Sequence, residues 1–201
     1  MFFRGKVNGG ILLRGVVLFP FLLVTWCVWE GVWQGNWNSE SLKKTVSLDQ
    51  KKSERVPVLI VPHHLLAREE ISRAFQYVSG IVGGDVIRRV ILLSPNHFNI
   101  GNDWVVGSDR SWKTSFGSLE ADVRAIATLR DIALVDRSIL DREHGVFNIL
   151  PFIKEYFPQA KIVPLALRDG FPDERSDELG MQLLSIADSQ TLLIASADFS
   201  H

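Results

Sequence analysis

Short runs of Val, Ile and Leu recur along the chain from residue 56 onward. Between them lie stretches in which apolar residues return every three or four positions. The first pattern predicts strands buried on both faces and the second predicts amphipathic helices. Strands are expected at Val56–Val61, Arg89–Leu93, Ile162–Leu167 and Thr191–Ala195, with shorter ones at Trp104–Val106 and Ile132–Val135. A helix is expected from Ala67 to about Ser79, where Ile71, Ala74, Phe75 and Val78 share a face, and Gly83-Gly84 ends it. Further helices are expected over Glu120 to Leu129, Gly145 to Tyr156 and Asp173 to Asp188. Within the second of these, Pro151 either starts a second half or kinks the helix. Pro95 to Asp103 and Trp112 to Gly117 read as loops. Alternating strands and helices are the signature of a three-layer α/β/α fold with a mostly parallel sheet.

The first 55 residues follow a different pattern. Arg4, Lys6 and Arg14 make the start basic, and Gly15 to Trp29 carries no charge. A membrane span needs about 17–25 residues, so this stretch is at the short end. Three readings compete: a cleaved signal peptide, an uncleaved membrane anchor, and an unusual segment of a soluble protein. No alanine precedes Ala67, tryptophans crowd the region where cleavage would fall, and Trp26 stands where a lipoprotein signal needs a small residue before Cys27. The anchor fits best, with Trp26, Trp29, Trp33 and Trp37 as an aromatic belt and the basic end in the cytoplasm. The expected organisation is therefore a basic, hydrophobic anchor or signal at 1–33, a polar linker at 34–55 and an α/β domain at 56–201. The domain is expected at the cell membrane, outside the cytoplasm, or secreted if the segment is cleaved.

Composition narrows the function only slightly. A chain of 201 residues suits one domain with an appendage, and a formal net charge of -1 offers nucleic acid no electrostatic footing. The single cysteine, Cys27, lies in the apolar segment, so the folded part has neither an internal disulfide nor a thiolate ligand.

Histidine placement is more informative. His63, His97 and His201 each follow a strand run within a few residues, and His144 lies in the turn Asp141-Arg142-Glu143-His144-Gly145. In open α/β sheets, ligands bind beyond the carboxyl ends of strands, so these side chains can converge there. Imidazole is the commonest protein ligand for transition metals. Two histidines with one carboxylate suit iron(II), and three histidines suit zinc or copper. Bland readings stand beside this one. A lone loop histidine is more often a surface or capping residue, Glu143 can cap the following helix, and Asp198 can be a turn residue. His64 can ligate, orient a ligand or face solvent. Trp112 and Phe116 serve equally as packing residues or as ligand contacts.

Read in order, Pro62-His63, Ser94-Pro95-Asn96-His97, Trp112-Lys113-Thr114-Ser115-Phe116-Gly117, Glu143-His144 with Leu150-Pro151-Phe152, Ile162-Val163-Pro164 and Ser196-Ala197-Asp198-Phe199-Ser200-His201 resemble the Memo family. In bacteria and archaea that family is called AmmeMemoRadiSam system protein B. The resemblance covers essentially all of Val56–His201. It implies a fold related to class III extradiol (LigB-type) dioxygenases and a nonhaem metal pocket. Carried over block by block, His63, His97, Asp198 and His201 line that pocket, with Glu143 and His144 close by. Three departures bear on the site. The family's Pro-His-Ala-Gly-Tyr is here Pro62-His63-His64-Leu65-Leu66, and the second histidine of its Pro-Ser-His-His block is here Phe98. A family cysteine of the pocket falls beyond His201, so the domain is expected to be C-terminally incomplete.

The expectation is a mononuclear site with His63, His97 and His201 as metal ligands and His144, Glu143 and Asp198 as orienting or acid–base groups. His144 is the candidate proton donor. Iron or copper ranks ahead of zinc. The resemblance implies roles in metal binding and redox chemistry or in phosphopeptide binding, and an association with radical SAM proteins. The partner is thus a small molecule or peptide. A non-catalytic ligand- or peptide-binding scaffold and a metal-dependent hydrolase with zinc-bound water are the alternatives.

Overall fold

The computed structural model describes residues 56–198. The strand runs form as expected: β1 (Val58–Pro62) starts two residues late and ends one later, while β2 (Arg89–Asn96), β7 (Lys161–Arg168) and β8 (Thr191–Ala197) are longer by two or three residues. The weaker runs give β3 (Val105–Gly107) and the two-residue β6 (Leu134–Val135). The loop expected at 112–117 is instead a hairpin, β4 (Trp112–Thr114) and β5 (Gly117–Leu119). With three residues to each strand, no alternation can register in the sequence.

The main sheet has six strands in the order β1-β8-β2-β7-β3-β6. The pairings are parallel except for β3 against β7, so the sheet is mixed. β8 lies between β1 and β2, with Pro62 opposite Ala197 and Leu93 opposite Ala195. The carboxyl ends of β1, β2 and β8 therefore lie side by side.

Alternate residues of the central strands feed two cores. On one face Val90, Leu92 and Ile162 pack with Ile71 and Phe75 of α1 (Arg68–Val82) and with Val146, Phe152 and Ile153. The latter belong to α4 (His144–Phe147) and α5 (Leu150–Tyr156). On the other face Ile91, Val163 and Leu165 pack with Ala125 and Ile126 of α2 (Val123–Thr128) and with Leu179, Leu183 and Ile186 of α6 (Asp173–Ile186). A short α3 (Arg137–Leu140) leads into the 141–143 turn. Helices cover both faces, as the α/β reading requires.

Two helices differ from expectation for local reasons. α2 starts three residues late because the chain is still extended there: Ile162 N donates to Glu120 O and Asp122 N donates to Ile162 O. The expected helix over 145–156 is two helices, with Pro151 in the first turn of the second. There its missing N–H costs nothing.

The membrane localisation expected from the sequence requires correction. No helix of the described residues is long and apolar enough to cross a membrane. The longest, α1, has 15 residues and opens on Arg68, Glu69 and Glu70. The proposed anchor at 1–33 lies outside the described residues, as do the linker at 34–55 and His201.

Candidate metal centre

Each strand end contributes one group. His63 follows β1 directly and is fully buried. Asp198 follows β8, and the β1–β8 register brings its Oδ1 to 2.9 Å from His63 Nε2. His97 follows β2. Asn96 fixes the turn after it: its Nδ2 donates to Ile100 O at 2.8 Å, and its Oδ1 accepts from Ile100 N at 3.2 Å. Glu143 and His144 come from the start of α4, where Glu143 is the N-cap, accepting from Gly145 N at 3.0 Å, and His144 is the first helical residue.

These groups form one connected cluster. His97 holds two carboxylates, Glu143 Oε1 at 2.6 Å from Nδ1 and Asp198 Oδ2 at 3.0 Å from Nε2. Glu143 is buried and also accepts from His97 N at 2.9 Å, so its oxygens are engaged by N–H groups. His63 Nδ1 lies 3.0 Å from Ser196 Oγ, which donates to Gly145 O at 2.6 Å. Asn148 Nδ2 donates to His63 O at 3.0 Å. The His144 ring lies 4.0 Å from that of His97 and 5.0 Å from that of His63, centre to centre.

His63, His97 and His144 each present a ring nitrogen, and the three nitrogens lie within 4.8 Å of one another. Among the described residues this histidine group could hold a metal ion. The donor set supports it: His63 Nε2 is buried and, although Asp198 Oδ1 lies 2.9 Å away, makes no aligned hydrogen bond among the described residues. A buried polar atom in that condition is costly unless something binds it. Burial, followed by the neighbouring histidines, holds the His63 pKa below its ordinary value against the pull of Asp198. A neutral imidazole is the form a metal takes. For His97 burial acts in the same direction, but hydrogen bonds to the Asp198 and Glu143 carboxylates outweigh it and raise the pKa.

The sequence reading placed His144 beside the metal as a proton donor, whereas the geometry brings it into the histidine group. His64 is mostly exposed, with Nε2 3.8 Å from Asp198 Oδ1. Phe98 is exposed as well, its ring 6.4 Å from that of His144. Trp112 packs against the first core, and its indole N–H is buried without a partner among the described residues. Phe116 is exposed at the tip of the β4–β5 hairpin. Sequence reasoning missed Ser196 and Gly145, because small residues carry no signal of their role until the strands are assembled.

The model for the family described as Memo-like protein matches residues 36–201. Similar curated proteins carry the name MEMO1 family protein. One from Caldivirga maquilingensis is 28% identical over 167 residues, covering 79% of this chain and 57% of the relative. One from Nitrosopumilus maritimus is 32% identical over 117 residues, 56% of this chain and 42% of the relative. One from Methanopyrus kandleri is 31% identical over 121 residues, with the same coverage. The chain spans about half the length of the curated relatives it matches. With the family match extending over most of the sequence, the chain belongs to the Memo family.

Proposed function

We propose that the chain binds a single redox-active metal ion between His63, His97 and His144, with Asp198 facing the same space, and that it supports dioxygenase-like or other redox chemistry there. The observation that carries the reading is the approach of three histidine ring nitrogens to within 4.8 Å. Two histidines whose Nε2 atoms face one carboxylate form the donor set that suits iron(II), and the added imidazole suits copper equally. Zinc ranks third, for a hydrolytic variant. A bound ion would offer open positions for dioxygen or a substrate. The protein's own part is defined by its contacts. Glu143 orients His97 through its Nδ1.

The test is metal analysis of the purified protein after anaerobic reconstitution with iron(II), copper or zinc. About one ion per chain is expected, with loss in His97→Ala. No bound metal, or binding unchanged in that variant, would overturn the reading.

A second reading is a binding scaffold without chemistry. It is favoured by the exposure of Leu66 and Phe98, which directly follow the site-bearing segments. It predicts ligand or peptide binding that survives His63→Ala.

A further inference from the structure

A serine hydroxyl has one proton to give and two lone pairs that accept. Ser196 is buried, and its Oγ gives that proton to Gly145 O at 2.6 Å. His63 Nδ1 lies 3.0 Å from the same oxygen. With the hydroxyl proton committed, Nδ1 must be the donor in this contact. A neutral ring with its hydrogen on Nδ1 has a bare Nε2. Nε2 is the atom that faces Asp198 Oδ1 at 2.9 Å, without an aligned hydrogen bond.

We propose that Ser196 is the positioning residue that sets the tautomer of His63, keeping the proton on Nδ1 and presenting Nε2 to the metal. Gly145 anchors the arrangement. Its carbonyl holds the hydroxyl that orients His63, and its N–H donates to Glu143 Oε1 at 3.0 Å, the oxygen that also holds His97 Nδ1. One peptide residue thus orients two histidines from opposite sides. Without the hydroxyl, Nδ1–H has no acceptor. The neutral ring then moves its hydrogen to Nε2, donates to Asp198 and closes the donor atom to metal. The inference rests on the metal-site reading, but its first measurement needs no metal.

The experiment is long-range ¹H–¹⁵N correlation of the histidine rings in the metal-free full chain, with His63 assigned by the signals lost in His63→Asn. In the wild-type protein Nδ1 of His63 carries hydrogen. In Ser196→Ala the hydrogen resides on Nε2, and iron(II) affinity measured by calorimetry falls by about 10–100-fold. Ser196→Thr keeps the hydroxyl and restores both. A wild-type ring with hydrogen on Nε2 alone overturns the proposal, and so does a Ser196→Ala protein that keeps Nδ1–H and full affinity. If Ser196→Ala does not fold, the wild-type spectrum and Ser196→Thr decide. Nδ1–H without any metal binding upholds the tautomer assignment and rejects the metal-site reading.

Discussion

Gly145 has no room for a side chain. A Cβ there would run into Ser94 Oγ and lie 3.4 Å from both Glu143 Oε1 and His63 Nδ1. Gly145→Ala is therefore expected to destabilise the fold by about 1–3 kcal/mol, the usual cost of overpacking. The atom that must move is Ser94 Oγ, which donates to Pro95 O in the strand that leads to His97, so metal affinity should fall as well. Urea denaturation and calorimetry on the same variant check the two effects. Glu143 illustrates how a residue's role changes with its surroundings. In sequence it has three readings: a helix cap, an orienting group or an acid–base group. In the structure it is a cap that is also buried, with Gly145 N, His97 N and His97 Nδ1 all within 3.0 Å of its oxygens.

At the scale of elements, Arg89 at the start of β2 ties the second core together. Its Nε donates to Asp122 Oδ2 at 2.8 Å, and its guanidinium also bonds Ile186 O at the end of α6. Asp122 is in turn the N-cap of α2, accepting from Ala125 N at 3.1 Å. Burial alone would raise its pKa, but the Ala125 amide and Arg89 outweigh that and hold it below 3.8. A depressed carboxylate pKa stabilises the fold above the unfolded value and loses that contribution as pH falls through the folded value. Asp122→Ala is expected to cost about 0.5–2 kcal/mol at neutral pH. The loss of stability below about pH 4 should be shallower in the variant than in wild type. Urea midpoints at pH 7 and pH 3 measure both. Elements were legible where the pattern was long. β1, β2, β7, β8, α1 and α6 declare themselves through buried runs or a sustained helical face. The β4–β5 hairpin and the antiparallel pairing of β3 do not, because short strands give no period and pairing direction is a tertiary choice. The strand-end histidines were legible because a buried run ending in histidine locates the residue at the sheet's carboxyl edge. That His144 joins the histidine group was not, because its position follows from how α4 packs against β2 and β8.

Across the whole molecule, the metal-site reading predicts a link between metal binding and stability, since the site draws on β1, β2, β8 and the start of α4. An ion that binds only the folded chain stabilises it by about 2.7 kcal/mol at 100 times its Kd. For a domain of this size the Tm should rise by about 5–10 °C. Chelator should reverse the rise and His97→Ala should abolish it, as read by thermal denaturation with and without iron(II). The sheet order adds a consequence in time. β1 and β2 lie early in the chain but do not pair with each other; β8, made more than 90 residues after β2, fits between them. A ribosome therefore releases His63 and His97 long before it releases the strand that aligns them, and Ser196 and Asp198 arrive on that same strand and its end. Until then β1 and β2 have open edges and the histidines have no shared pocket. On the metal-site reading, loading of an ion would then report that the α/β sheet has closed around its last strand.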